Sequence, residues 1–374
     1  MFEILSITLL LIYAVFILGN CCVLLIQRKE IGLKNYSPKT KITIIIPARN
    51  EEQTILKCLQ SISIQQFPEN LLQVIVVDDG SIDNTVTLAE TFLKENFVDY
   101  KLIRMESKEP GGKKSAILKA IEQAEGSIII TRDADSYTEN PLWLKSLVYS
   151  FEKENCDLLI SPVILHGDNS FLSNFQKFEN LAINALGLSM TKIKLPFVCS
   201  GANLAYKKEK FLQCQPYQNN LNLGSGDDMF LLKSFFLNRY SINSNTSTES
   251  IIYTGTETSF KKMLLQRLRW ASKSGKINTL PVFFTGLLML SVNALCLLAL
   301  CLPFVNSLYL TISLLTLTIK FIIDFLLLIL SARMFKQKVS WLLLPLAFLF
   351  NGIYVPVLTF ASIFVKPNWK GRRQ

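Results

Sequence analysis

Long uncharged runs near both ends limit this chain to few architectures. Residues 4–26 carry no charged side chain. From Pro281 to Val365 nearly every residue is apolar, broken by Lys320, Asp324 and the basic stretch Arg333 to Lys338. A helix needs roughly 20 apolar residues to cross a bilayer. The expected layout is therefore a transmembrane anchor (1–27), a polar middle domain (38–278) and a C-terminal membrane region (279–374). That last region holds two spans, 281–305 and 307–331, and a third segment, 341–365, that crosses or re-enters.

Met1-Phe2-Glu3 lacks the positive start of a signal peptide, and no small-residue cleavage site follows, so the first run reads as a retained anchor. Basic residues after it and Glu3 before it place the amino terminus outside and the middle domain in the cytoplasm. This is the expectation for an integral protein of the cytoplasmic (inner) membrane. The run Trp341 to Val365 conflicts with that rule, because a crossing would leave Lys366 to Arg373 outside. Pro345, Asn351-Gly352 and Pro356 suit a broken hairpin that dips and returns. Lys320 and Asp324, four residues apart, can neutralise each other on one helical face or meet a lipid headgroup.

The net charge of +10 lies largely beside the apolar runs, at Arg28, Lys29, Lys34, Lys273, Lys276, Arg333, Lys336, Lys338 and Lys370-Gly-Arg-Arg. That pattern fits contact with anionic membrane lipids, not nucleic acid. Eight cysteines without a C-x-x-C pair indicate neither a zinc site nor a disulfide framework. The single histidine, His166, argues against a histidine-based triad.

The middle domain alternates strands with helices. Strands are expected at Ile42–Pro47, Leu72–Val77, Tyr100–Met105 and before Asp133, with helices at 51–66 (capped by Asn50), 83–94 and 113–124. This order predicts a mostly parallel sheet with right-handed crossovers. Its strand ends then share one edge, where ligands bind in open α/β sheets.

Three of those ends are polar. In Ser-Ile-Ile-Ile-Thr-Arg-Asp-Ala-Asp-Ser, residues 127–136, an apolar run ends in Asp133 and Asp135. Two such acids can hold a hard divalent cation that also ligates substrate phosphates; a polar turn before the next helix is the plain alternative. Asp78-Asp79-Gly80-Ser81 could accept hydrogen bonds from a base or ribose, though as a turn it needs no ligand. Ala48-Arg49-Asn50-Glu51 is the third end. Lys113, in Gly111-Gly112-Lys113-Lys114 at a helix start, could contact phosphate.

Further along, Phe171 to Met190 is amphipathic, suited to a membrane surface or a core. Phe197 to Tyr206 is a small-residue segment where backbone could approach a sugar or acceptor. Gly224-Ser-Gly-Asp-Asp-Met229 sets Asp227 and Asp228 at a helix start, as an ionised general base or a plain acidic cap. Gln266-Arg-Leu-Arg-Trp270 pairs guanidinium with indole, which suits a diphosphate and a sugar or lipid face, or an interfacial anchor.

Taken in order, Ile46-Pro-Ala-Arg-Asn-Glu-Glu52, Val77-Asp-Asp-Gly-Ser81, Asp133-Ala-Asp135, Gly226-Asp-Asp228 and Gln266-Arg-Leu-Arg-Trp270 resemble the membrane-bound members of glycosyltransferase family 2 over about residues 40–280. The resemblance implies an α/β GT-A fold, a Rossmann-like mixed and mostly parallel sheet, joined to α-helical transmembrane segments. It implies inverting transfer of sugar from a UDP- or GDP-sugar to a lipid or lipid-linked acceptor. Pro47, Arg49, Glu51, Asp78, Asp79, Lys113 and Asp133 would contact the donor. Asp135, with Asp133, would hold Mg2+ or Mn2+. Asp228 would be the base, with Asp227 standing where the family more often has Glu. Gln266, Arg269 and Trp270 would face the diphosphate and acceptor. The competing readings are a processive polysaccharide synthase of the hyaluronan, cellulose or poly-N-acetylglucosamine type, and a non-catalytic membrane scaffold.

Overall fold

Isoleucine and valine runs form the centre of the sheet. In this computed structural model, which describes residues 2–26, 32–105, 112–221, 223 and 226–365, the strands are β1 (Ile42–Ala48), β2 (Leu72–Asp78), β3 (Asp99–Arg104), β4 (Ile128–Thr131), β5 (Ser136–Tyr137), β6 (Leu158–Ile160), β7 (Val163–His166), β8 (Leu204–Lys207), β9 (Ile242–Ser244) and β10 (Ile252–Gly255). The helices are α1 (Phe2–Ile26), α2 (Ile55–Ser63), α3 (Thr85–Asn96), α4 (Lys113–Gln123), α5 (Trp143–Lys153), α6 (Phe171–Lys192), α7 (Lys208–Cys214), α8 (Asp227–Leu237), α9 (Phe260–Ile277), α10 (Leu280–Val305), α11 (Leu310–Met334) and α12 (Leu344–Phe364). Gly111, Gly224-Ser225, Arg28, Lys29 and the tail from Lys366 lie outside the described residues, as do the side chains of Lys34, Lys273 and Lys276.

The chain divides into two compact units, one from the described parts of 28–164 and 198–255, the other from those of 1–27, 165–197 and 256–367. The first holds a seven-stranded sheet ordered β3-β2-β1-β4-β8-β6-β9. β1 pairs in parallel with β2 and β4, and β2 with β3. β8 runs antiparallel to β4 and β6, and β9 is parallel to β6. The sheet is thus mixed and mostly parallel. Central strands covered on both faces read as unbroken apolar runs, and Val74 to Val77 and Ile44 to Ile46 are fully buried. Ile55, Leu59 and Ile62 of α2 and Trp143, Leu144 and Leu147 of α5 pack on the same core.

The register places Ala48 beside Asp78 and Ile45 beside Thr131. The ends of β1, β2 and β4 therefore lie on one edge. The helix expected from Glu51 begins at Ile55 instead. Asn50 is left-handed (φ 52°), and its side-chain oxygen accepts the Ile82 amide at 2.9 Å. Committed to the neighbouring loop, it does not cap α2.

In the second unit, α1, α10, α11 with its leading turn, and α12 with its leading turn are long and apolar enough to cross a membrane. Lys320 is 2% exposed and its ammonium lies 2.6 Å from Asp324, whose other oxygen accepts the Tyr13 hydroxyl of α1 at 2.5 Å. The charges neutralise each other inside the helix packing. The expected broken hairpin over 341–365 is corrected. α12 is one continuous helix with Pro356 inside it. Gly352 packs against Cys296 of α10, where an added Cβ would lie 3.4 Å from the cysteine's Cβ. Asn351 donates to Asn293 at 3.3 Å. These residues mark a helix contact, not a break.

Candidate active site

The first unit gathers acids from distant parts of the chain around the start of α4. Asp79 follows β2, and its carboxylate accepts the Gly112 amide at 3.1 Å and lies 3.8 Å from the Arg49 guanidinium. The next residue, Lys113, reaches Asp133 after β4 at 2.6 Å and Asp227 in the first turn of α8 at 3.0 Å. Burial works against the Lys113 charge, but Asp133, Asp227 and Asp228 outweigh it and hold the ammonium's pKa above the ordinary lysine value. Asp228 Oδ2 accepts the Gly201 amide at 3.3 Å. Gly201 approaches the acids so closely that a Cβ there would lie 2.7 Å from Asp227 Oδ2 and 2.8 Å from Lys113 Nζ. The Phe197–Tyr206 segment thus brings backbone up to the carboxylates themselves.

α8 starts where it does because Gly226 turns the chain in the left-handed region (φ 90°), which a side chain would resist. Its two acids then sit at the positive end of the helix dipole. Lys114, 2% exposed, turns away from the acids and donates to the carbonyls of Asn220 and Leu223. It fastens the loop ahead of α8.

The other expected residues take mixed positions. Asp78 is 6% exposed and accepts the Ser81 amide, so it closes its own turn. Pro47 lies in β1, half-buried. Glu51 accepts the Thr54 hydroxyl at 2.9 Å while its amide donates to Thr85. Asp135 is exposed at the end of the Asp133-Ala-Asp135 loop. That loop is braced from behind by a residue the sequence reading passed over. Arg132 is fully buried, donates to Ser61 and Ser136, and stacks on Trp143. Ser136 in turn donates to the Asp133 carbonyl at 2.7 Å.

Among the described residues no three His, Cys, Asp or Glu side chains are grouped to hold a metal by themselves. Asp133 and Asp135 offer oxygen donors only. That suits Mg2+ or Mn2+, which are commonly held by one or two carboxylates with phosphate oxygens and water completing the shell. The residues present fit such an ion.

Gln266, Arg269 and Trp270 belong to α9 of the second unit. Here too a partner went unread. Arg267, 6% exposed, is paired with Glu179 of α6 at 3.2 Å, donates to Gln266 Oε1 and stacks under the half-exposed Trp270 ring. Gln266 donates to Glu257 at 3.0 Å. Burial pushes the Glu179 carboxyl up, against the pull of Arg267. No periodicity marks Glu179, because its partner lies 88 residues away.

The family described as Glycosyl transferase family 2 matches residues 43–213 of this chain. The poly(ribitol-phosphate) beta-N-acetylglucosaminyltransferase TarS of Staphylococcus aureus is 32% identical over 120 residues, covering 32% of this chain and 20% of TarS. The undecaprenyl-phosphate 4-deoxy-4-formamido-L-arabinose transferase of Proteus mirabilis is 32% identical over 160 residues, 42% of this chain and 48% of that one. The chain thus spans less than half the length of these relatives. The structure of the mannosyltransferase PcManGT from Pyrobaculum calidifontis, in complex with GDP-Man and Mn2+, aligns with a TM-score of 0.60 at 17% identity, covering 97% of this chain and 99% of that one. At that identity the likeness is one of fold, and the fold is GT-A.

Proposed function

We propose that this protein is a membrane-embedded inverting glycosyltransferase that moves a sugar from a nucleoside-diphosphate sugar to a hydroxyl of a lipid or lipid-linked acceptor. The observation that carries the reading is the convergence on Gly112, Lys113 and Gly201 of acids from the ends of β2 and β4 and the start of α8. Asp79, with Arg49, Glu51, Asp78 and Pro47 around it, binds the nucleotide. Lys113 and the amides opening α4 meet the diphosphate, where the helix dipole favours anions. Asp135, with Asp133, would hold Mg2+ or Mn2+, which when bound neutralises charge on the leaving nucleoside diphosphate.

Asp228 is the base. Its carboxylate takes the proton of the acceptor hydroxyl as that oxygen bonds to the anomeric carbon. The bond to the departing phosphate oxygen breaks on the opposite face, so one displacement inverts the configuration and needs no protein nucleophile. In this reading the protein belongs to the inner membrane with its catalytic domain in the cytoplasm; four helices long and apolar enough to cross a membrane support the first part, and the P. mirabilis relative, named for undecaprenyl-phosphate, supports a lipid acceptor.

Incubating membranes that contain the protein with radiolabelled UDP- and GDP-sugars, then extracting lipid, tests this reading. Label in a discrete lipid product is expected. A ladder of long polymer would favour a processive synthase, and no turnover of any donor would remove the transferase reading.

A further inference from the structure

We infer that Lys113 is the resident cation of the acid cluster, so that a divalent ion gains Asp133 only when a nucleoside diphosphate arrives to receive the lysine. The inference rests on the proposed transferase function and adds a coupling rule to it. Asp133 of the metal motif and Asp227 beside the base are bridged by one ammonium, at 2.6 and 3.0 Å, from a lysine whose side chain is 16% exposed. A second, doubly charged cation on the same Asp133 oxygen would meet that ammonium at short range, in a partly desolvated site where repulsion is strong.

A diphosphate removes the conflict. It brings the negative charge that both cations need, and the amide-rich start of α4 is where it would sit. The ammonium can swing from carboxylate to phosphate because its stem is flexible. Asp133, released, becomes available to the metal. Without Lys113, the Asp133 carboxylate would be open to an ion from solvent before any nucleotide arrives.

Gly201 holds the arrangement in place. Its missing Cβ leaves the room that the Lys113–Asp227 bridge occupies. A methyl there presses on the mobile ends of Asp227 and Lys113 and meets the Asp228 Cβ at an ordinary 3.5 Å, so Gly201→Ala shifts the bridge without unseating the strand that follows. Asp227 is thereby a positioning residue that keeps Lys113 over the site, leaving the acceptor proton to Asp228.

The test is Mn2+ binding to full-length protein in detergent, read from the free-ion paramagnetic resonance signal with and without UDP or GDP. Wild type should bind Mn2+ at least tenfold more tightly when the preferred nucleotide is present. Lys113→Met should bind Mn2+ without nucleotide at least tenfold more tightly than wild type, and hold the nucleotide more weakly. Gly201→Ala should move nucleotide-free Mn2+ binding the same way by a smaller factor, which keeps the test decisive if Lys113→Met does not fold. Nucleotide-free Mn2+ binding no tighter in either variant, with wild type still binding Mn2+ and nucleotide together, would overturn the coupling alone. Wild type that binds neither UDP nor GDP with Mn2+ would overturn the donor site and the coupling with it.

Discussion

Glu152 shows how much one side chain can secure. Its carboxylate accepts the Tyr36 hydroxyl, the Thr40 hydroxyl and the amides of Lys39 and Thr40, all at 2.7 to 2.9 Å. It thereby fastens the segment leading into β1. Burial alone would raise its pKa, but these donors favour the charged form and carry it below the ordinary glutamate value. A carboxylate with a depressed folded pKa contributes stability above its unfolded value and loses it as pH falls through the folded one. Glu152→Gln should therefore cost about 1 kcal/mol at neutral pH. The gap to wild type should close below about pH 4, as followed by melting at a series of pH values. At this scale the sequence showed the acids but not their partners. Asp133 and Asp135 stand out because an apolar run ends on them. Arg132, one residue earlier, gains its role only when folding brings Ser61 and Trp143 to it.

Elements were legible where they were long and regular. β1, β2 and α4 are marked by runs of Ile and Val or by helical spacing, and their observed bounds lie close to the expected ones. β6, β8 and β9 are three or four residues each, too short to display a period. β8, the antiparallel partner of β4 and β6, arrives from more than 70 residues beyond β4, which local pattern cannot announce. α12 was misjudged for a different reason. Gly and Pro were read as breakers, yet in membrane helices small residues let backbones approach and Pro is tolerated. Gly352→Leu should force α12 from α10 and cost about 1–3 kcal/mol through overpacking, measurable as a lowered melting temperature in detergent. Unchanged melting would show that Gly352 is not a contact point.

For the whole molecule, the GT-A class was legible because five short motifs occur in a fixed order, each weak alone. Asp133, Asp227 and Lys113 come from the loop after β4, from α8 and from α4, and the fold brings both acids within contact of the lysine. The lipid, the sugar and the nucleotide have no such local signature, since specificity arises from pocket shape and not from the acids that do the chemistry. The central claim is that this cluster transfers sugar, with Asp228 taking the acceptor's proton. The most direct measurement compares purified wild type with Asp228→Asn for label transferred from the preferred nucleotide sugar to extracted lipid, with Mn2+–nucleotide binding measured alongside. The account predicts transfer reduced roughly 10²–10⁴-fold while nucleotide binding stays near wild type. Near-full transfer by Asp228→Asn would contradict it.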